Sequence, residues 1–349
     1  MSNWLTQQLD IDYPIIQAPM AGVSTPELAA AVSDAGALGS LGLGSSSVAQ
    51  AEALINQTRR LTTRPFNVNL FCHAPAVRDP QREAQWIERL GPEFARFGSV
   101  PPQTLAEIYL SLQQNPQMTE LLLDLTPAVV SFHFGVPDRE TLRWLREKGI
   151  VTLASVTSVE EAQLVSAQGI DMVVAQGYEA GGHRGIFAPQ AADGQMSTFT
   201  LVQAIKQRID IPLVAAGGIM DGAGINSVMN LGAEGAQLGT AFLLCPESAA
   251  DAGYREAIKS SPDGKTVLTS AISGRPARCV VNGWREMNEP HAIPDYPVAY
   301  DLGKALATAA KAHGDHQYGA HWAGQGVNLI RELPAAEMIR TLVRECGFQ

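Results

Sequence analysis

Short apolar runs alternate with stretches of helical periodicity through the first three quarters of the chain. The runs fall at 14–19, 38–43, 66–71, 129–134, 150–156, 172–175, 212–216 and 235–244, and most are near-continuously apolar, as strands covered on both faces require. Between them the period lengthens to that of a helix. Thr25 can cap a helix over 25–36 with Pro26 in its first turn, and Ser45–Ser47 can cap another through 60. Similar patterns follow at 137–148, 158–168, 200–208 and 221–231. Eight strands alternating with helices predict a parallel sheet, and eight is the number at which such a sheet closes into a TIM (β/α)8 barrel. An open doubly wound α/β sheet is the competitor, and the strand count favours the barrel.

Two segments break the alternation. Residues 72–127 interrupt it with helical patterns near 81–97 and 104–115, and beyond Pro246 it stops. Together these predict a smaller, mainly helical layer over the barrel mouth. The expected division is a barrel domain from 1–75, 124–247 and 322–349, with a substrate-facing lid domain from 76–123 and 248–321.

A barrel does its chemistry at the C-terminal ends of its strands. Those positions offer Met20-Ala21-Gly22, Asn67, Asn69, His133, Gln176, Gly181-Gly182-His183, Gly217-Gly218 and Gln237-Leu238-Gly239-Thr240. The set is rich in amides and glycines. No lysine, aspartate or glutamate lies in the eight runs, which weakens a Schiff-base aldolase and a divalent-metal site. Adjacent glycines let main-chain N–H groups approach a ligand, so Gly217-Gly218 and Gly239-Thr240 suit the barrel phosphate site. His183 sets a titratable ring beside the Gly181-Gly182 turn, while Glu179 and Arg184 flank it and either touch a ligand or orient the loop. His133 is either a satisfied core histidine or a site residue at a strand end. Tyr296, Tyr300 and Lys304 are spaced by four, which stacks them on one helical face. Tyr109 and Tyr254 are further pocket candidates from the two interrupting segments.

Composition narrows the partners. A net charge of −10 with no basic cluster argues against nucleic acid. Cys72, Cys245, Cys279 and Cys346 are scattered without metal-ligand spacing, so no metal site is expected and a reducing compartment is. The N-terminus lacks a basic start and an apolar core, and no segment has the length of a membrane span. The expectation is a cytoplasmic protein with a small-molecule substrate, as a monomer or a homodimer.

The segments PIIQAPMAG, FNVNLF, AQGYEAGGHRG, AAGGIMDG and AQLGTAFL, with WAGQG at 322–326, resemble the nitronate monooxygenase family, formerly called 2-nitropropane dioxygenases. The resemblance runs from Pro14 to Gly326, and Tyr296, Tyr300 and Lys304 match its class I branch. It implies a TIM barrel with non-covalent FMN and no need for NAD(P)H. Flavin contacts then fall on Met20, Ala21, Gly22, Asn69, Gln176, Gly181, Gly217, Gly218, Gln237, Leu238, Gly239 and Thr240, and a side chain at 218 would meet the phosphate. His183 then faces the substrate, with His133, Tyr109, Tyr254, Tyr296, Tyr300 and Lys304 around it. The implied reaction is oxidation of an alkyl nitronate such as propionate 3-nitronate by O2, through a flavin semiquinone, to an aldehyde or oxo acid plus nitrite. Two rivals remain. One is an NAD(P)H-dependent FMN reductase on the same barrel, acting on a quinone or an enoyl-acyl carrier. The other is a flavin- or phosphometabolite-binding barrel without turnover.

Overall fold

A computed structural model describes residues 3–261, 264–287, 289 and 291–348. Eight parallel strands form the centre: β1 Ile15–Gln17, β2 Gly39–Gly42, β3 Phe66–Phe71, β4 Val129–His133, β5 Val151–Val156, β6 Met172–Gln176, β8 Leu213–Ala216 and β9 Gly235–Leu238. They pair in the order β1-β9-β8-β6-β5-β4-β3-β2. A short seam closes the ring, where Leu38 donates to Ile15 O and Gln17 donates to Leu38 O, both at 2.9 Å. The (β/α)8 barrel read from the alternation is the fold observed.

Helices α2 (Pro26–Asp34), α3 (Val48–Leu61), α5 (Pro116–Leu125), α6 (Arg139–Glu147), α7 (Val159–Gln168), α8 (Thr198–Lys206), α9 (Gly222–Asn230) and α12 (Ala335–Cys346) surround the ring. The cap residues read from sequence work as expected. Thr25 Oγ1 accepts from Leu28 N at 2.9 Å, and Ser47 closes a capping box with Gln50. Helix α1 (Trp4–Leu9) packs Leu5 and Leu9 against Ile16, Val129, Val151, Met172 and Val214, which plugs the N-terminal end of the barrel. Among the described residues no helix is long and apolar enough to cross a membrane.

Above the other end lie α4 (Pro80–Arg96), α10 (Ala252–Lys259) and α11 (Val298–Ala312). A three-stranded antiparallel sheet joins them, formed by β10 (Thr266–Thr269), β11 (Ala277–Val280) and β7 (Gly182–His183). Trp86, Leu90 and Phe94 of α4 share an apolar cluster with Leu302 and Leu306 of α11 and with Trp284. The upper layer is thus part sheet, and it borrows one strand from a barrel loop.

Three expectations need correction. Residues 104–111 form no helix, because their main chain bonds outward instead: Ala106 N donates to Asp301 and Leu105 O accepts from Arg78, both at 2.8 Å. The helix that follows, α5, starts at Asn115-Pro116 and packs between α3 and α6 as a barrel helix. Strand β9 ends at Leu238, where Gly239 leads into a 3₁₀ turn over Thr240–Phe242. Finally, α11 begins at Val298, so Tyr296 lies before the helix and only Tyr300 and Lys304 share its face.

Candidate active site

Strand alternation decides what the barrel shows to its own interior. Residues of one parity, such as Val68, Val130, Val173, Ala215 and Leu238, pack outward with the helices. The opposite parity runs from an apolar floor to a polar upper layer of Asn69, Ser131, His133, Ser155, Gln176 and Gln237, all lining one cavity of about 350 Å³. The strand-end and loop candidates Asn67, Glu179 and Arg184 do not line this cavity, and of the expected flavin and substrate contacts the one that does not is Leu238. Its side chain points into the outer core with 1% exposure, one residue out of phase with Gln237 and Gly239.

Glycines form one end of the cavity. Gly217 and Gly218 adopt φ of +119° and +70°, a region that side chains disfavour. A Cβ on Gly217 would lie 2.8 Å from Thr198 Oγ1, and one on Gly218 would lie 3.2 Å from Glu179 Cβ. Both missing side chains thus point into the protein, and main chain faces the cavity. This corrects the expected clash of a residue-218 side chain with a phosphate. Gly239 and Thr240 stand opposite as the 3₁₀ turn opens. The WAGQG segment completes this wall: Gly324 N donates to Thr240 Oγ1 and Gln325 N to Glu179 O, both at 2.9 Å. A Cβ on Gly181 would lie 2.5 Å from Ala323 C, so only glycine lets this segment pass. On the next face of the cavity, Gly22 takes φ +76° beside Met20 and Ala21.

His183 does not sit in a free loop. It lies in β7, registered against Ala277 of β11. Its carbonyl accepts from Gln176 Nε2 at 3.0 Å and from His133 Nε2 at 3.1 Å, which fixes the proton of His133 on that nitrogen. Gln176 also accepts from Gly185 N at 2.8 Å, so both ends of its amide hold the histidine strand. The amide of Gln237, by contrast, has no partner among the described residues. Arg184 is 1% exposed, paired with Asp193 at 2.9 Å and bonded to Gln176 O and Gly177 O. Glu179 caps α8 through Thr198 N at 2.9 Å. Both charged neighbours therefore shape the loop.

The His183 ring faces Tyr296 at 5.5 Å, Tyr300 at 6.1 Å and Trp322 at 5.1 Å, with Nε2 bonded to Ser273 Oγ at 2.9 Å. Lys304 Nζ stands 5.0 Å over the Tyr109 ring and 5.4 Å over Tyr300, at the exposed rim. Tyr254 gives its hydroxyl to Trp322 O and stacks on His321, which makes it a wall residue. Tyr296 Oη is buried and has no partner among the described residues, a donor awaiting an acceptor. Burial pushes the Tyr109 and Tyr300 phenols up to about 12 and Tyr296 well above its usual value, so all three stay protonated donors. Burial, aided by His133 and Arg275, pushes His183 down to about 3, and burial takes His133 to about 4. Burial therefore favours the neutral imidazole of His183 at ordinary pH.

Sequence reasoning missed several members of this site. Ser131 and Ser155 follow from the parity of Asn69 and Gln176 and were legible there. Trp322 sits inside the quoted WAGQG segment. Ser273 and Phe134 carried no signal, since nothing in their spacing announces that they pack behind His183.

The depressed histidines have a measurable cost. His183 at about 3, and His133 and His321 at about 4, fall below the unfolded value of about 6.5. The unfolded chain thus binds more protons, and this stability is complete above pH 6.5 and lost as pH falls toward 4. At pH 5.5 each contributes a loss of about 1 kcal/mol. We expect Tm to drop by on the order of 5 °C between pH 7.5 and 5.5 in a thermal scan. An unchanged Tm would show that these rings protonate freely in the folded state.

The chain matches known proteins over almost its full length. The family model described as nitronate monooxygenase matches residues 2–345. A nitronate monooxygenase of Pseudomonas aeruginosa is 53% identical over 348 residues, covering 99% of both chains. One from Paraburkholderia phytofirmans is 51% identical, covering 97% of this chain and 93% of the relative. Among solved structures, a nitroalkane oxidase from Streptomyces ansochromogenes superposes with TM-score 0.92 at 41% identity, over 99% of this chain and 98% of that one. FabK from Thermotoga maritima gives TM-score 0.76 at 29% identity, over 99% and 96%. Barrel, glycine wall and histidine strand, joined to a match over almost the full length, place this chain in the nitronate monooxygenase family of oxidoreductases.

Proposed function

We propose that the protein oxidises alkyl nitronates, propionate 3-nitronate among them, to an aldehyde or oxo acid plus nitrite, with non-covalent FMN and O2. The family's enzymes are flavin enzymes in general, and the residues present fit FMN. The glycine end at Gly217, Gly218, Gly239 and Thr240 offers main chain to a phosphate without a side chain in the way. The unpartnered Gln237 amide, with Asn69 and the main chain of Met20–Gly22, suits the edge of a planar heterocycle. FMN, when bound, supplies the electron chemistry between nitronate and oxygen.

The observation that carries the substrate reading is the buried, unpartnered Tyr296 hydroxyl in a cavity edged by Tyr300, neutral His183 and Lys304. Protonated phenols and an ammonium donate to an anion whose charge rests on two oxygens. The upper layer keeps bulk water from the anion, and Lys304 at the rim meets a second carboxylate.

The purified protein should be yellow and release nitrite from ethyl nitronate in air. Without oxygen, the nitronate should bleach the flavin, while NADH and NADPH leave it oxidised for many minutes. Rapid bleaching by either nucleotide, with turnover on a quinone, would move the chain to the reductase reading. A yellow protein that turns over neither would leave a binding barrel.

A further inference from the structure

Behind the cavity, outside its lining, lies a cation that the reaction above does not use. Arg275 is 4% exposed and has no ion pair within 4 Å among the described residues. Its guanidinium is satisfied by main-chain oxygens alone, Ile186 O at 2.8 Å and Phe187 O at 3.2 Å. A buried positive charge without a direct ion pair is costly, even with the Glu161 and Asp295 carboxylates acting on it from farther off. Its Cζ sits 4.3 Å over the Phe134 ring, which also meets His183 at 5.6 Å and Tyr296 at 5.3 Å, besides Phe71, His73 and His133. Phe134 takes φ +70°, a conformation a bulky side chain adopts only when held there. The adjoining residues reach the same site: Ser273 Oγ bonds His183 Nε2, and a Cβ on Gly274 would lie 2.5 Å from Tyr296 N.

We propose that Arg275 is the site's fixed, desolvated positive charge, a specificity-determining residue that tilts the cavity toward anionic ligands through Phe134 without touching them. The groups facing it are Tyr296, Glu161 and Asp295, with His183, His133 and His73 on the cavity side. Asp295 is engaged by Arg82 at 3.1 Å, and Glu161 accepts from Phe187 N at 2.8 Å and from Thr157. Arg82 offsets the Asp295 charge, whereas Glu161, held by neutral donors, keeps its charge and offsets part of the Arg275 field; the remainder acts on the cavity. Burial lowers its guanidinium only to about 10, so it stays charged at working pH. Burial first, then His133 and this charge, disfavour protonation of His183. Lys304 is exposed at the rim and screened by salt, whereas Arg275 is not.

The inference deepens the nitronate reading, and its test does not depend on turnover. Propionate and propionamide have nearly the same shape and differ by one charge. Their dissociation constants on the flavin-loaded protein are measured by calorimetry. In Arg275→Met, propionate should bind roughly tenfold more weakly, as one unit charge gives at about 10 Å and an effective dielectric of about 20. Propionamide should stay within about twofold, and Arg275→Lys should restore the preference for the anion. Equal weakening of both probes, no change in either, or failure of Arg275→Lys to restore the preference would overturn the assignment. If Arg275→Met does not fold, Lys304→Met decides: preference for propionate should persist there at 0.5 M salt (a test condition). Its complete disappearance would leave Arg275 no role. Nitrite release tests the underlying reaction separately, so a protein that oxidises nitronates yet binds both probes alike would sink only this inference.

Discussion

Gly217→Val should yield a folded but colourless protein without measurable nitronate oxidation. The native φ of +119° lies where a β-branched residue is strained, at about 1–3 kcal/mol. The added Cβ would also sit 2.8 Å from Thr198 Oγ1 and 3.1 Å from Ala180 N. Thr198 cannot yield freely, because its hydroxyl reaches Gly217 O at 2.9 Å and Glu179 at 3.0 Å while its N–H caps against Glu179. The peptide must rotate instead, and that rotation turns away the main chain that faces the cavity. Gly218→Ala is the graded comparison: its φ of +70° is a milder penalty of about 1 kcal/mol, and its Cβ meets only the Glu179 side chain. Flavin content after purification, read by visible absorbance, should fall from wild type through Gly218→Ala to none in Gly217→Val. Full flavin and normal turnover in Gly217→Val would remove the glycine end as the phosphate site.

His183→Asn should separate two substrate classes. The ring is neutral, so toward an anion that arrives ready-made it offers at most a hydrogen bond, worth about 0.5–1.5 kcal/mol. Nitronate kcat/KM should therefore fall only about three- to tenfold. A neutral nitroalkane must first lose a proton from carbon. For that task the neutral ring is free to take the proton, burial makes it a weak base, and the anion it creates becomes its counter-charge. Any turnover of nitroethane should drop by about 10²–10⁴ in the variant, the range of general-base catalysis. Asparagine keeps a polar group near Ser273 and leaves β7 paired to β11, so flavin content should not change. Equal losses on nitronate and nitroalkane would deny His183 a base role, and no loss on either would remove it from the site.

Both experiments rest on features the sequence exposed to different degrees. The barrel was legible because parallel strands buried on both faces leave long apolar runs, and because Thr25, Ser47 and Ser158 cap helices at the points where the period changes. The cavity was legible because strand ends carry its polar layer. Leu238 was misplaced by treating Gln237–Thr240 as one block, although a period of two sends alternate side chains to opposite faces. The helix expected at 104–115 failed because its main chain is claimed by Asp301 and Arg78, distant partners that no local pattern reveals. The role of Gln176 was hidden for the same reason, since its amide is spent on residues of the turn that follows it. Arg275 lay beyond reach altogether: its meaning comes from Phe134 and His183, far away along the chain.

The wall supplied by Trp322, Gly324 and Gly326 also sets a timetable for biosynthesis. A ribosome that has delivered all eight barrel strands has still not delivered a closed cavity, because the segment that seals Gly181 and Thr240 follows the last of those strands by a long stretch of chain. Until then the nascent barrel stands with its amide layer open to water and His183 without its Trp322 neighbour. A message truncated before Trp322 would make a protein with every strand of the barrel and a cavity that lacks this wall.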